Sequence, residues 1–360
     1  MSLRRWLVVV GSVLAIAAAV GCGAVKAESK SVSPCGSVNL PVAWSPDGSQ
    51  VVLYGYRWPL PPLHHRPASI SVLRAVCVAD ADGNNAHALP NTVCSEHCTP
   101  NLGDGVGQFE WAQPKLILYG NDSGIYTLAV GGKPKLLTRA GAPEPFVADS
   151  SGDRVAATGP LCSRCTGPVT VLAVPSGTIV GKVGGTKLAN VVPSLSPDGT
   201  QVVFARFTKS GQPKGIWTAA AGGSGLKQLE AQGNNPLWSP AGNQIAYLTP
   251  SGALRLVSPQ GGASTPLLPK NFGSAMSWSP DGKHLTVVDT KNRLAVVDVA
   301  TKKIHTLLKL HSPYGPESIV WSPDSQELLV VGKAPAHSGC PSGLWRIPID
   351  GAKPHLVHGC

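Results

Sequence analysis

Trp278-Ser279-Pro280-Asp281-Gly282 is one of several near-identical pentapeptides whose recurrence decides the fold. Close copies begin at Trp44, Trp238 and Trp321, and Leu195-Ser196-Pro197-Asp198-Gly199 lacks only the tryptophan. Proline presets φ for a tight turn, and the usual glycine supplies a positive φ where the chain departs. An apolar segment follows every copy, so each pentapeptide is interpreted as the turn of a β-hairpin. The recurring tryptophan is interpreted as a wedge between neighbouring units.

The spacing of these turns defines the repeat. Degenerate copies at Trp111-Ala112-Gln113-Pro114 and at 147–152, with its marker at Val147, bring the series to seven. The markers recur roughly every 40 to 45 residues, the length of a four-stranded propeller blade, after one longer first interval. A second hairpin follows in each unit, and segments such as Gly215-Ile216-Trp217-Thr218-Ala219 begin it. The prediction is an all-β propeller of about seven four-stranded blades over 37–360, with six blades as the alternative.

The repeat resembles the TolB-type relative of the WD repeat, and the resemblance covers nearly all of the chain after the leader. It implies an exported bacterial propeller. TolB itself carries a separate α/β domain before six blades, whereas nothing of that size precedes Trp44 and seven units are counted here. A role in the Tol–Pal envelope system therefore does not carry over, since a fold does not fix a function.

The N-terminal segment predicts export. Arg4 and Arg5 precede an uncharged apolar run, which is typical of a signal peptide. Ala19-Val20-Gly21-Cys22 resembles a bacterial lipobox, so 1–22 is predicted as signal peptide, Cys22 as the lipidation site and 23–36 as a linker. Cleavage after Val25-Lys26-Ala27 is the alternative, which would give a secreted or soluble periplasmic protein. The predicted location is extracytoplasmic, with the membrane reached through the lipid anchor only.

Cysteine usage agrees with an oxidising compartment. Of nine cysteines, lipidation of Cys22 leaves an even number as disulfide candidates. Cys340 with Cys360 and Cys162 with Cys165 are predicted pairs. Three pairings stay open among the other four candidates, which are Cys35, Cys77, Cys94 and Cys98. A structural alternative is that some, Cys77 above all, are only small buried apolar residues.

The long irregular segments predict a binding face. They are 56–71, 91–108, 159–168 and 333–342. In a WD-type blade they fall on the side of the disc that carries the connections between the second and third strands and between blades, and loops on a rigid scaffold commonly carry recognition. The segment 56–71 contains aromatic and cationic side chains that could contact an anionic or stacking partner; these candidates are Arg57, Trp58, His64, His65 and Arg66. The alternative is a solvated loop packed across the propeller mouth.

The formal net charge of +10 includes Arg4 and Arg5, so the mature chain remains basic. That charge favours an acidic protein or an anionic envelope component as partner, or it only aids solubility. Nucleic acid is not an expected partner of an exported protein, and a monomer is expected.

Catalytic and metal motifs are weak in this sequence. It has no Gly-x-Ser-x-Gly elbow and no phosphate-binding loop. One group on a shared face could hold zinc, but disulfides are favoured in an oxidising compartment, and no metal or cofactor is predicted. Its members are Cys94, His97, Cys98, Cys162 and Cys165. The predicted function is a non-catalytic binding or scaffold protein of the cell envelope. The alternative is a small catalytic propeller, lactonase- or quinoprotein-like, with its site in the central channel.

Overall fold

A computed structural model shows seven four-stranded antiparallel sheets. It describes Cys35, 37–57, 73–89, 106–121, 124–139, 146–158, 166–269, Phe272, 277–310, 318–332 and 343–358. Each sheet is a meander of four consecutive strands, so each blade is one continuous stretch of chain. The described residues include no helix, and among them nothing long and apolar enough to span a bilayer as a helix was found. The predicted seven-bladed propeller is confirmed, and the six-bladed alternative is wrong. The segments 1–22 and 23–36, with Cys22 but apart from Cys35, lie outside the described residues.

The strands are numbered in chain order, four to a blade. Blade 1 contains β1 (Ser37–Trp44), β2 (Gln50–Arg57), β3 (Leu73–Asp80) and β4 (His87–Ala88). Blade 2 contains β5 (Val106–Gln113), β6 (Leu116–Asn121), β7 (Gly124–Ala129) and β8 (Lys135–Thr138). Blade 3 contains β9 (Phe146–Ala148), β10 (Arg154–Ala157), β11 (Val169–Ala173) and β12 (Ile179–Val183). Blade 4 contains β13 (Ala189–Leu195), β14 (Gln201–Phe207), β15 (Pro213–Ala220) and β16 (Lys227–Glu230).

The last three blades follow the same plan. Blade 5 contains β17 (Asn234–Trp238), β18 (Ile245–Leu248), β19 (Leu254–Val257) and β20 (Thr265–Leu268). Blade 6 contains β21 (Ser277–Trp278), β22 (His284–Val288), β23 (Arg293–Asp298) and β24 (Ile304–Lys309). Blade 7 contains β25 (Ser318–Trp321), β26 (Glu327–Gly332), β27 (Gly343–Pro348) and β28 (His355–His358).

The repeated tryptophan lies between blades, as predicted. Trp278 ends β21 and packs with Leu256 and Leu267 of blade 5. Trp321 packs in the same way against blade 6, where Val288 and Val296 contact it. All of these side chains are nearly inaccessible to solvent. Each of these tryptophans is therefore buried against the preceding blade, and the seams between the blades are the core of the protein.

The ring closes by side-chain packing and not by a strand shared between the ends of the chain. Trp44 of blade 1 packs in one cluster with Leu329, Val331 and Leu344 of blade 7. A Cβ on Gly83, in a turn of blade 1, would lie 2.3 Å from the carbonyl oxygen of Val357 in β28. Close backbone approach and apolar packing thus join the two ends of the described chain.

Three sequence boundaries need correction. The segment 56–71 was predicted as a loop, but Tyr56 and Arg57 pair with Arg74 and Leu73, because β2 continues for as long as β3 lies beside it. The predicted connection 91–108 overlaps β5, which begins at Val106.

The marker of blade 3 is also displaced by one residue. Ala148, and not Val147, ends β9 in the place of the tryptophan. Asp149 occupies the serine position, since its carboxylate accepts hydrogen bonds from the amides of Asp153 at 2.9 Å and Arg154 at 3.2 Å. The Asp149 carboxylate accepts the backbone hydrogen bond that the serine hydroxyl accepts in other turns. This replacement explains why the blade 3 copy of the pentapeptide is degenerate in sequence.

Candidate binding face

The meander places two kinds of connection on opposite sides of the disc. The first-to-second and third-to-fourth strand turns form one side, called the turn face. The second-to-third strand connections and the links between blades form the other, called the loop face. Every turn-face connection has two to seven residues, whereas loop-face connections include 58–72 and 89–105. The turn face therefore has only short connections, whereas the loop face also has long ones.

The turn face uses its polar groups internally. In the blade 6 turn, Ser279 Oγ donates to Asp281 at 2.5 Å and accepts from the His284 amide at 2.9 Å. The same carboxylate accepts from the Lys283 amide at 3.0 Å. Ser45, Ser196 and Ser322 form equivalent pairs with the aspartates two residues later.

These short contacts affect the carboxyl groups of the turns. The serine hydroxyl and backbone amides hold the pKa of Asp198 below its usual value, and the same causes lower the pKa of Asp324. The turns are closed hydrogen-bonded units, as expected of scaffold.

The predicted contact residues lie mostly outside the described part of the chain. Arg57 ends β2, where the loop face begins. Trp58, His64, His65 and Arg66 fall in 58–72, outside the described residues. The same holds for six disulfide candidates, namely Cys94, Cys98, Cys162, Cys165, Cys340 and Cys360.

One disulfide joins described residues. Cys35 and Cys77 are bonded, with their Cα atoms 6.0 Å apart. Cys77 is fully buried within β3, so its interpretation as an unpaired apolar residue is wrong. Both cysteines belong to the cluster that joins blade 7 to blade 1, and the bond therefore fastens the segment before β1 at the closure of the ring. Of the three pairings left open by the sequence, this is the one that leaves Cys94 with Cys98.

The inner strands hold one ionisable side chain among the described residues, Glu110 of β5. Its carboxylate accepts the Ala148 amide of β9 at 2.6 Å, and the Gln108 side-chain amide donates to it at 3.2 Å. Gln108 also pairs with the Phe146 backbone through both its oxygen and its nitrogen. These two side chains of blade 2 therefore satisfy the exposed edge of the innermost strand of blade 3.

Glu110 has an unusual environment. The residue is half-buried, and its carboxyl group is partly desolvated by the neighbouring protein. Desolvation raises the pKa of Glu110 to about 8, against the lowering effect of its hydrogen bonds. Sequence reasoning missed this residue; the signal was a single acidic residue between Phe109 and Trp111 in an apolar segment.

A second buried polar group lies at the loop-face end of the seam between blades 3 and 4. Arg206, near the end of β14, is buried and pairs across the sheet with Asn190 of β13. Its guanidinium carbon lies 4.6 Å from the centre of the Trp217 ring. Sequence reasoning missed this residue too; the signal was that Arg206 is the one charged residue in the apolar strand β14.

Among the described residues, no three or more His, Cys, Asp and Glu side chains are grouped so that they could hold a metal ion.

Comparison with known proteins identifies the architecture. No protein-family model matches the chain, and no curated protein sequence matches it. An oligogalacturonate lyase in complex with manganese is similar in fold, with a TM-score of 0.60 and 12% identity over 85% of this chain and 87% of the lyase. The oligogalacturonate lyase of Vibrio parahaemolyticus has a TM-score of 0.59 and 11% identity over 88% and 89% of the two chains. A putative TolB from Agrobacterium tumefaciens has a TM-score of 0.47 and 17% identity over 62% and 84%. At these identities the lyase likeness concerns the propeller fold alone.

Proposed function

We propose that this chain is an exported, lipid-anchored propeller that binds a protein or an anionic envelope component at its loop face and catalyses no reaction. One observation carries the proposal: the contrast between the two faces. The turn face consists of short connections whose hydroxyl, carboxylate and amide groups bond to one another. The loop face carries the long connections on a rigid ring, which is the arrangement that recognition proteins use.

The composition of the connection between β2 and β3 supports a recognition role. Between Arg57 and Leu73 the sequence carries Trp58, His64, His65 and Arg66. An aromatic ring beside cationic and titratable groups suits an anionic or stacking partner. The basic net charge of the chain also favours an anionic partner.

A cross-linking pull-down from intact cells tests this function. In the test variant 58–72 is replaced by a copy of 289–292, the short turn at the equivalent place in blade 6. In the control variant the turn-face segment 258–264 is replaced by 299–303. We expect the partner recovered by wild type to be lost from the test variant and kept by the control. Equal recovery from wild type and the test variant would remove 58–72 as the recognition element.

A second candidate, a catalytic propeller with a central site, is favoured by one observation. Glu110 is a carboxyl group of raised pKa on an innermost strand, and groups of this kind serve as general acids or bases. Against this role, its carboxylate already holds the Ala148 amide. Since two proteins of similar fold are oligogalacturonate lyases, the test is incubation with oligogalacturonate, with and without Mn²⁺, followed by chain-length analysis. Shortening by wild type but not by Glu110→Gln would establish the enzyme.

A further inference from the structure

Arg206 is a buried cation whose position is set by two neighbouring blades. Its side chain projects from blade 4 toward the link that follows β12 of blade 3, where Nη2 donates to the Gly184 carbonyl at 2.6 Å. The Trp217 ring covers the guanidinium and is held in turn by a 2.7 Å bond from its Nε1 to the Lys214 carbonyl. A backbone carbonyl and an indole therefore fix the orientation of the guanidinium.

The charge of Arg206 is not balanced within the described part of the chain. Its Nε is buried without a hydrogen-bond partner, Nη1 makes no hydrogen bond, and no carboxylate forms an ion pair with it. Burial alone lowers the pKa of the guanidinium, with no acidic neighbour to oppose the shift. Buried charges in folded proteins are normally paired, and an unpaired one costs stability.

A second arginine, only partly buried and also beside an aromatic ring, shows the contrast. Arg346 of blade 7 lies beside an aromatic ring as Arg206 does, but its guanidinium is bonded to the carboxylate of Glu327 at both ends. Glu327 thus gives Arg346 the carboxylate partner that Arg206 lacks among the described residues.

Asn190, the cross-strand partner of Arg206, has an unused acceptor. Its amide nitrogen donates to the carbonyls of Gly167, Gly185 and Leu188, but its buried Oδ1 has no donor. A Cβ on Gly184 would lie 2.4 Å from that oxygen, and Gly184 has a φ of +88°, so the close approach requires glycine. The local backbone is therefore built around an arginine and an asparagine whose polar atoms are not all used.

The adjoining connection cannot supply the missing anion. Residues 159–165 lead from β10 toward Gly167 and contain no aspartate or glutamate. Neither this connection nor the described residues therefore supply a carboxylate partner to Arg206.

We propose that Arg206 is the receptor for a carboxylate group of a ligand bound at the loop-face end of the seam between blades 3 and 4. The carboxylate accepts from Nη1 of Arg206, while Trp217 contacts the apolar part of the ligand. Arginine suits this task because its planar fork matches a carboxylate. This inference rests on the proposed binding role of the loop face and adds the chemical class that one part of the face recognises.

A titration of the purified mature protein with succinate tests the proposal, with neutral succinamide as the matched probe. The readouts are tryptophan fluorescence, assigned to Trp217 with Trp217→Phe, and the melting temperature. The variants are Arg206→Met and the control Arg255→Met; Arg255 lies on β19 with no acidic partner, but Ser264 accepts its Nε and Nη2 donors. Because 58–72 is not involved, this test and the pull-down can fail independently.

We expect wild type and Arg255→Met to respond saturably to succinate below about 50 mM, and Arg206→Met to bind it at least tenfold more weakly. Without ligand, Arg206→Met should unfold at a urea concentration no lower than that of wild type, because an unpaired buried charge has been removed. Equal responses to succinate and succinamide, or equal succinate affinity in Arg206→Met, would overturn the site. If Arg206→Met does not fold, Arg206→Lys decides the question, since unchanged succinate affinity in it contradicts recognition by the planar fork.

Discussion

The guanidinium carbon of Arg346 lies 5.7 Å from the centre of the Trp44 ring, so the last blade meets the first through a cation over an indole face. Glu327 holds Arg346 in place through its carboxylate, with Nε 2.7 Å from Oε2. Trp44 Nε1 is buried without a hydrogen-bond partner among the described residues, whereas Trp278 and Trp321 donate to the backbone of the preceding blade. The seam between blades 7 and 1 therefore relies on packing and charge. The seams of Trp278 and Trp321 have in addition a hydrogen bond from the indole.

Removal of the closing tryptophan should destabilise the whole ring. Trp44→Ala leaves a cavity against Leu329, Val331 and Leu344, and we expect it to lower the free energy of unfolding by about 3–5 kcal/mol. Arg346→Met keeps most of the contact area and should cost about 1 kcal/mol, since the ion pair is partly exposed. Urea unfolding of both variants measures the two losses. Equal losses would show that the charge, and not the apolar wedge, closes the ring.

The wedge itself was predictable from sequence, and the polar seams were not. The sequence identifies the wedge tryptophans because the same turn follows each of them; examples are Trp44, Trp278 and Trp321. A local pattern repeated at blade length predicts both the strand order and the buried position of the tryptophan. Glu110 contacts Ala148 in the next blade, and Arg206 contacts Gly184 just after the last strand of the preceding blade. Nothing in the sequence specifies that these atoms meet at a seam. Sequence patterns therefore predicted the blades and the loop face but not the polar contacts between blades.

The Cys35–Cys77 bond should contribute substantially to stability. The two residues are 42 apart in sequence, so the crosslink restricts a long loop of the unfolded chain. We expect Cys35→Ala/Cys77→Ala to lose about 3–4 kcal/mol of unfolding free energy, measured in urea. Peptide mapping without reduction should recover Cys35 linked to Cys77. A peptide that links Cys35 to Cys94 or Cys98 would contradict the pairing.

The blade 5 turn offers a stabilising substitution. Ala241 stands where the other Ser-Pro turns have aspartate. Ser239 Oγ donates only to Asn243 Oδ1, at 3.1 Å, while it accepts from the Gln244 amide. Ala241→Asp supplies an acceptor for that hydroxyl and for the Asn243 amide, as Asp281 does for its own turn. We expect a gain of about 0.5–1 kcal/mol in thermal or urea unfolding. Ala263→Asp adds the same charge to another exposed turn and should not stabilise; an equal gain there would point to net charge as the cause.

Glu110 should make the seam between blades 2 and 3 sensitive to alkaline pH. Its pKa of about 8 in the folded protein is above the 4.5 of an ordinary glutamate, because burial disfavours the ionised form. The folded state thus holds this proton more tightly than the unfolded chain. The resulting stabilisation is complete below pH 4.5 and is lost as the pH rises through about 8.

Glu110→Gln keeps an uncharged side chain whose oxygen can still accept from the Ala148 amide. Between pH 5 and pH 9 we expect wild type to lose about 2 kcal/mol more unfolding free energy than Glu110→Gln, a value reduced for the partial exposure of the group. Urea unfolding at several pH values gives both slopes, and Asp350→Asn, on an exposed turn, is the control that should follow wild type. Parallel slopes for wild type and Glu110→Gln would mean that Glu110 titrates as an ordinary surface carboxylate, and the catalytic alternative would then lose the one observation that favours it.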